Sequence, residues 1–125
     1  GGWVVYENAR KIEDLGVAAE LIERDGAVSQ SVISAMAEGA RRRAGSDYGV
    51  STSGVAGPDG GSADKPVGTV WIAVADEAGI DARCFHFPGG RSVIRDRTAK
   101  TALQLLRLRI RGDASDLLWQ RDASS

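Results

Sequence analysis

A chain of 125 residues is long enough for one domain and too short for two. Its 16 Lys and Arg stand against 17 Asp and Glu, a net charge of −1, which removes the long-range field that a general nucleic-acid or membrane-surface binder uses. With 42% apolar residues the chain is not a disordered one, and a single cysteine (Cys84) beside a single histidine (His86) excludes an intrachain disulfide framework and a cysteine-rich zinc site.

The chain opens at Gly1-Gly2-Trp3 without Met and passes directly into Trp3-Val4-Val5-Tyr6, a β-branched and aromatic run that predicts a buried strand. A start in mid-element points to a cut chain, with residues of the same domain lying upstream. Asn8 is placed to cap a helix through Leu15, which Gly16 ends, and a second short helix spans Ala18 to Arg24 before Gly26. Ser29 is the N-cap of a helix to Ala44, whose stripe is Val32, Ile33, Met36, Ala37 and Ala40. Arg41, Arg42 and Arg43 fall in its last turn, where positive charge complements the helix dipole.

Tyr48 to Ser53 reads as a strand, followed by a glycine-rich loop from Gly54 to Pro66. Thr69 to Ala75 is apolar without alternation and predicts a central strand. Asp76 to Gly79 turns it into an antiparallel partner from Ala82 to Phe87. The last helix runs from Ser92, its N-cap, to about Ile110. Beyond Gly112 the chain is rich in Asp and Ser around Leu117-Leu118-Trp119, either a free tail or a segment that docks. The mixture predicts an α/β fold with helices on a mixed sheet. No stretch approaches the ~20 apolar residues of a membrane span, and no secretory signal pattern is present.

Chemistry concentrates between Ser51 and Val70, S-T-S-G-V-A-G-P-D-G-G-S-A-D-K-P-V-G-T-V. Hydroxyls cluster at the end of one strand, and glycines let backbone N–H groups approach an anion. The loop is neither a Walker A sequence nor a dinucleotide fingerprint, because it lacks G-K-[ST] and no helix follows it. Spacing alone leaves a structural loop and an anion-binding loop open; the length favours binding. Tyr6 ends the first predicted strand and Lys11 lies a turn into the next helix, so the two can face one cleft. There a desolvated lysine serves as base for a hydroxyl nucleophile without histidine. A solvated lysine beside a core tyrosine is the other reading. Arg91, after Pro88-Gly89-Gly90, is either a phosphate clamp at a helix start or a solvated residue, with Arg95 a turn later able to assist. His86, between Phe85 and Phe87, reads as a sheet-face residue, and Cys84 as a small buried hydrophobe.

The segments Y-E-N-A-R-K-I-E-D-L-G-V, G-A-V-S-Q, M-A-E-G-A-R-R-R, S-T-S-G-V-A-G-P-D-G-G-S-A-D-K-P-V-G-T-V-W-I-A and F-P-G-G-R-S-V-I-R-D-R together resemble the C-terminal domain of the CinA family. The resemblance runs from about Gly2 to Ile110 and divides the chain into a domain over 2–111 and a polar tail over 112–125. It implies a three-layer α/β/α domain that hydrolyses the carboxamide of nicotinamide mononucleotide to nicotinate mononucleotide and ammonia. It also implies a serine nucleophile helped by lysine and tyrosine, with no metal and no cofactor. The family lysine and tyrosine fall on Lys11 and Tyr6, the substrate loop on Ser53, Gly54, Ala56 and Gly57, and the phosphate arginine on Arg91. The family's Glu-Ser-Cys-Thr-Gly-Gly segment, which carries the nucleophile, belongs upstream of Gly1, as do its first strand and flanking helices. Glu7 stands where the family has a small residue, and Gly90 where Asp is common. The partner so implied is a small nucleotide in the cytoplasm, without membrane or direct nucleic-acid contact, and the family admits a homodimer. A non-catalytic nucleotide-binding or competence-associated interaction module is the alternative.

Overall fold

The run Thr69–Asp76 has no polar face, and it lies inside the sheet as such a strand must. In the computed structural model, which describes residues 1–121, the sheet order is β1 (Gly49–Gly54), β2 (Thr69–Asp76), β3 (Gly79–His86) and β4 (Gln120–Arg121). All three neighbouring pairs are antiparallel. Helices α1 (Asn8–Leu15), α2 (Ala19–Asp25) and α3 (Gln30–Ala44) precede the sheet, and α4 (Arg91–Arg111) follows β3.

Strand periodicity divides β2 between two cores. Val70, Ile72 and Val74 join Phe85 and Phe87 against Ile94, Ala102 and Leu105 of α4. Trp71, Ala73 and Ala75 turn the other way, onto Val32, Ile33, Met36 and Ala37 of α3, with Leu15 and Ile22 completing that cluster. Helices therefore cover both faces, which is the α/β/α arrangement. Ile33, Ile72, Phe85 and Leu105 are fully buried, each contributing roughly 1.5–3 kcal/mol by removal from water. The helical layer on the alanine side closes tightly. A Cβ at Gly39 would fall 1.9 Å from the Leu15 carbonyl oxygen, so α1 and α3 meet backbone to side-chain-free backbone there.

Four expectations require correction. Trp3–Tyr6 joins no ladder among the described residues, and the described four-stranded sheet is antiparallel throughout rather than mixed. Its alternation persists: Trp3 and Val5 pack into the core beside α3, while Val4 (77% exposed) and Tyr6 (81%) point outward. High β-propensity does not make a strand where no partner edge is in register. Glu7, not Asn8, is the N-cap of α1, and Gly90, not Ser92, is the N-cap of α4; neither helix start has a side-chain cap.

Elsewhere local chemistry acts as expected. Ser29 accepts from the Val32 amide at 3.4 Å at the start of α3, and Gly16 and Gly45 end α1 and α3 in the left-handed region. Arg41 and Arg42 both pair with Glu38, and Arg43 donates to the Glu13 carbonyl, so the basic triplet closes a helix. Asp76 receives the Ala78 and Gly79 amides in the hairpin turn and a two-pronged contact from Arg109 at 2.7 and 2.8 Å. The segment around Leu117 docks: Leu117 packs against the α4 core, and the His86 amide donates to the Trp119 carbonyl at 3.0 Å. Arg83 reaches the Ser115 carbonyl at 2.6 Å and the Gln120 side chain at 3.1 Å.

Candidate functional site

Several pieces of chain converge on a cavity of about 530 Å³ beside the C-terminal end of β1, Met36 of α3 and Val70 of β2 among its lining. The N-terminal run and α1 supply Tyr6 and Lys11, and the turn between α2 and α3 supplies Ala27 and Val28. Ser53, Gly54 and Ala56 come from the end of β1 and the loop after it; Arg91, Ile94, Arg95 and Thr98 come from the first two turns of α4. The residues 91, 94, 95 and 98 share one helix face, which explains why they arrive together.

Lys11 decides the character of the site. It is 5% exposed, and its Nζ donates to the Val5 carbonyl at 2.7 Å. No carboxylate lies within 4.0 Å of it among the described residues, so burial is uncompensated and pulls its pKa below the ordinary lysine value. The alternative of a solvated lysine is therefore excluded, and so is that of a core tyrosine, because Tyr6 is largely exposed at the cavity rim. No hydrogen bond joins Tyr6 to Lys11 among the described residues.

The cavity wall is cationic. Lys11, Arg91 and Arg95 line it, and among the described residues no Asp or Glu does. Arg91 is partly engaged: its Nη1 donates to the Gly57 carbonyl at 3.1 Å, tying the glycine-rich loop to α4. Gly57 itself is not in the wall, although Ser53, Gly54 and Ala56 are. Ser53 Oγ donates to the Ala27 carbonyl at 3.3 Å, whereas Ser51 Oγ is spent in the core on the Ile33 carbonyl at 2.6 Å. Cys84 is half-buried, with its thiol pKa raised by burial, and His86 is exposed; neither lines the cavity. Among the described residues no group of three His, Cys, Asp or Glu could hold a metal ion, and no helix is long and apolar enough to cross a membrane.

Sequence reasoning missed Ala27 and Val28. The available signal was a glycine, Gly26, opening a short interhelical turn, but spacing along the chain does not tell which turn faces which strand end.

The family profile described as CinA C-terminal domain matches residues 1–110. The chain belongs to the CinA family. A CinA-like protein of Geobacter metallireducens is 53% identical over 107 residues, covering 86% of this chain and 26% of that protein. One from Mycolicibacterium vanbaalenii is 51% identical over 113 residues, 90% of this chain and 27% of that protein. The chain thus spans about a quarter of the length of these CinA relatives. Among solved structures, the competence/damage inducible protein CihA from Agrobacterium tumefaciens superposes with a TM-score of 0.82 at 40% identity, over 85% of this chain and 66% of that one. The competence or damage-inducible protein from Enterobacter asburiae gives 0.82 at 31% identity, over 87% and 69%.

Proposed function

We propose that this CinA-family domain is the substrate-binding and proton-transfer part of a nicotinamide-nucleotide amidase. The observation that carries the reading is Lys11: a buried amine without a carboxylate partner among the described residues, in a cavity lined by two further cations. A lysine so placed is a base rather than a salt-bridge partner. Arg91 and Arg95 suit the phosphate of a mononucleotide, and the apolar wall of Val28, Met36 and Ile94 suits a pyridine ring.

The reaction is acyl transfer. The Glu-Ser-Cys-Thr-Gly-Gly segment of the family does not occur in these 125 residues, and in this reading its serine is the nucleophile. The serine oxygen attacks the carboxamide carbon while neutral Lys11 takes the hydroxyl proton. Backbone N–H groups near Gly54 steady the oxyanion. Collapse expels ammonia as Lys11 returns the proton to the leaving nitrogen, and water then hydrolyses the ester to nicotinate mononucleotide. Tyr6, at the rim, orients the amide. No metal or cofactor takes part. The small nucleotide is the partner required, in the cytoplasm where it occurs, and the family resemblance admits a homodimer.

One observation favours the second reading, a non-catalytic nucleotide-binding or interaction module. Ser53 donates to a backbone carbonyl, and no hydroxyl is hydrogen-bonded to Lys11 among the described residues. Ammonia release from nicotinamide mononucleotide separates the two. The 125-residue chain alone is expected to release none above a buffer blank, and the same chain preceded by the family's serine segment to turn over. Binding without turnover in the longer polypeptide favours the module; turnover by the 125 residues that vanishes in Ser53→Ala moves the nucleophile to Ser53.

A further inference from the structure

Besides the backbone bonds of Val55 to Gly68 and Thr69, the glycine-rich loop that follows β1 is tied to the helices by two cationic side chains. On the α4 side, Arg91 holds the Gly57 carbonyl. On the other side, Lys65 extends its Nζ to the carbonyl of Asp25, the last residue of α2, at 3.1 Å. That contact spans 40 residues of sequence. It lands on the helix end that carries partial negative charge and leaves carbonyls without partners in the helix. Lys65 also adds its charge to those that hold the Asp25 carboxyl down at about 2, where hydrogen bonds from Arg24 and Ser31 act first.

The geometry around this contact is tight. Gly26 adopts φ +83°, and a Cβ there would come within 3.1 Å of the Lys65 Nζ, so the ammonium lies directly over the residue that opens the cavity turn. The next two residues, Ala27 and Val28, are cavity wall. The Ala27 carbonyl is held from the sheet side by Ser53, itself a cavity residue. The turn is thus pinned from two directions, by Ser53 and by Lys65. Lys65 is in turn braced within its own loop: its amide donates to Ser62 Oγ at 3.1 Å, and its carbonyl accepts from the Ser62 amide at 3.0 Å.

We propose that Lys65 is a positioning residue of the cavity: by tying the glycine-rich loop to the end of α2, it fixes the wall formed by Ala27 and Val28 at the distance the substrate requires. It touches neither the reacting atoms nor Lys11. Its role rests on the amidase reading only for the identity of the substrate; the tie itself does not depend on it.

The test compares Lys65→Met, which keeps the chain length and removes the charge, with Lys65→Arg, which keeps the charge. Hydrogen exchange is followed at the Gly26 and Ser62 amides, bonded to the Ile22 and Lys65 carbonyls respectively. Losing a charge-assisted bond should speed exchange on the order of tenfold at both amides in Lys65→Met, with β2 and α3 unchanged and Lys65→Arg near the parent. In the ammonia-releasing polypeptide, Lys65→Met should raise KM for nicotinamide mononucleotide severalfold with little change in kcat, and Lys65→Arg should restore it. Unchanged exchange at both amides overturns the tie. Faster exchange with unaltered KM overturns the positioning role, as does exchange that quickens evenly across the whole chain. A parent polypeptide without turnover counts against the amidase reading and leaves the tie to be decided by exchange.

Discussion

Replacing Lys11 by Met removes the amine while keeping the unbranched chain that fills its buried slot. Loss of a positioned proton acceptor should lower kcat roughly 10²–10⁴-fold, or about 3–5 kcal/mol of barrier, with KM little altered. Two stability effects oppose each other in the folded protein. The Val5 carbonyl loses its donor at 2.7 Å, which costs about 1–3 kcal/mol if no water replaces it; removal of an uncompensated buried charge offsets that. The pH dependence distinguishes them. Because burial lowers the folded pKa of Lys11 below its ordinary 10.5, the unfolded chain binds more protons across the interval between the two values. The parent's stability therefore climbs with pH through that interval, is level above 10.5, and carries the full penalty below the folded pKa. Lys11→Met should lose the climb. Denaturant unfolding across alkaline pH, alongside steady-state ammonia release, checks both. A folded variant that keeps kcat within about threefold of the parent, or a parent with no alkaline climb, would refute the assignment of Lys11 as a desolvated base.

Arg91→Ala should raise KM for the mononucleotide about ten- to a hundredfold and scarcely affect nicotinamide riboside, which lacks the phosphate; equal weakening of both substrates would make Arg91 only a holder of the Gly57 carbonyl. Gly39→Ala places a Cβ 1.9 Å from the Leu15 carbonyl oxygen and should destabilise by about 1–3 kcal/mol while displacing the helix that carries Lys11, as read from a thermal melt and from kcat. Asp76, held at about 2 by its hydrogen bonds with Arg109, has a depressed folded pKa, so its contribution is complete above the ordinary carboxylate value and lost as pH falls toward 2. Asp76→Asn should lower the melting temperature at neutral pH and flatten the acid limb of the stability profile.

Where the sequence specifies structure by local chemistry, it could be read. Ser29 and Gly45 bracket α3 because one offers an oxygen to an orphan amide and the other tolerates a left-handed φ. Val70 to Ala75 had to be interior because neither face carries charge. The site residues that the family resemblance implied also come together: Tyr6, Lys11, Ser53, Gly54, Ala56 and Arg91 all line the cavity, while Gly57 is outside its wall. What could not be read depends on partners distant in sequence. Trp3–Tyr6 has the composition of a strand but pairs with none of the described strands, although β1 is an edge strand. The docking of Leu117 to Arg121 needs Arg83, 32 residues earlier than Ser115, to supply its anchor. Ala27 and Val28 lie in a turn whose ends are held from far along the chain, Ser53 bonding the Ala27 carbonyl and Lys65 the Asp25 carbonyl just before it.

The central claim is that the Lys11 amine is desolvated at a nucleotide-binding cavity, and an NMR titration of the Lys11 side-chain carbon next to Nζ tests it most directly. Run with and without nicotinamide mononucleotide, the titration should give a midpoint below 10.5 for the protein alone, and one that moves when the mononucleotide is added. A Lys11 midpoint at or above the ordinary lysine value, indifferent to the mononucleotide, would contradict the account.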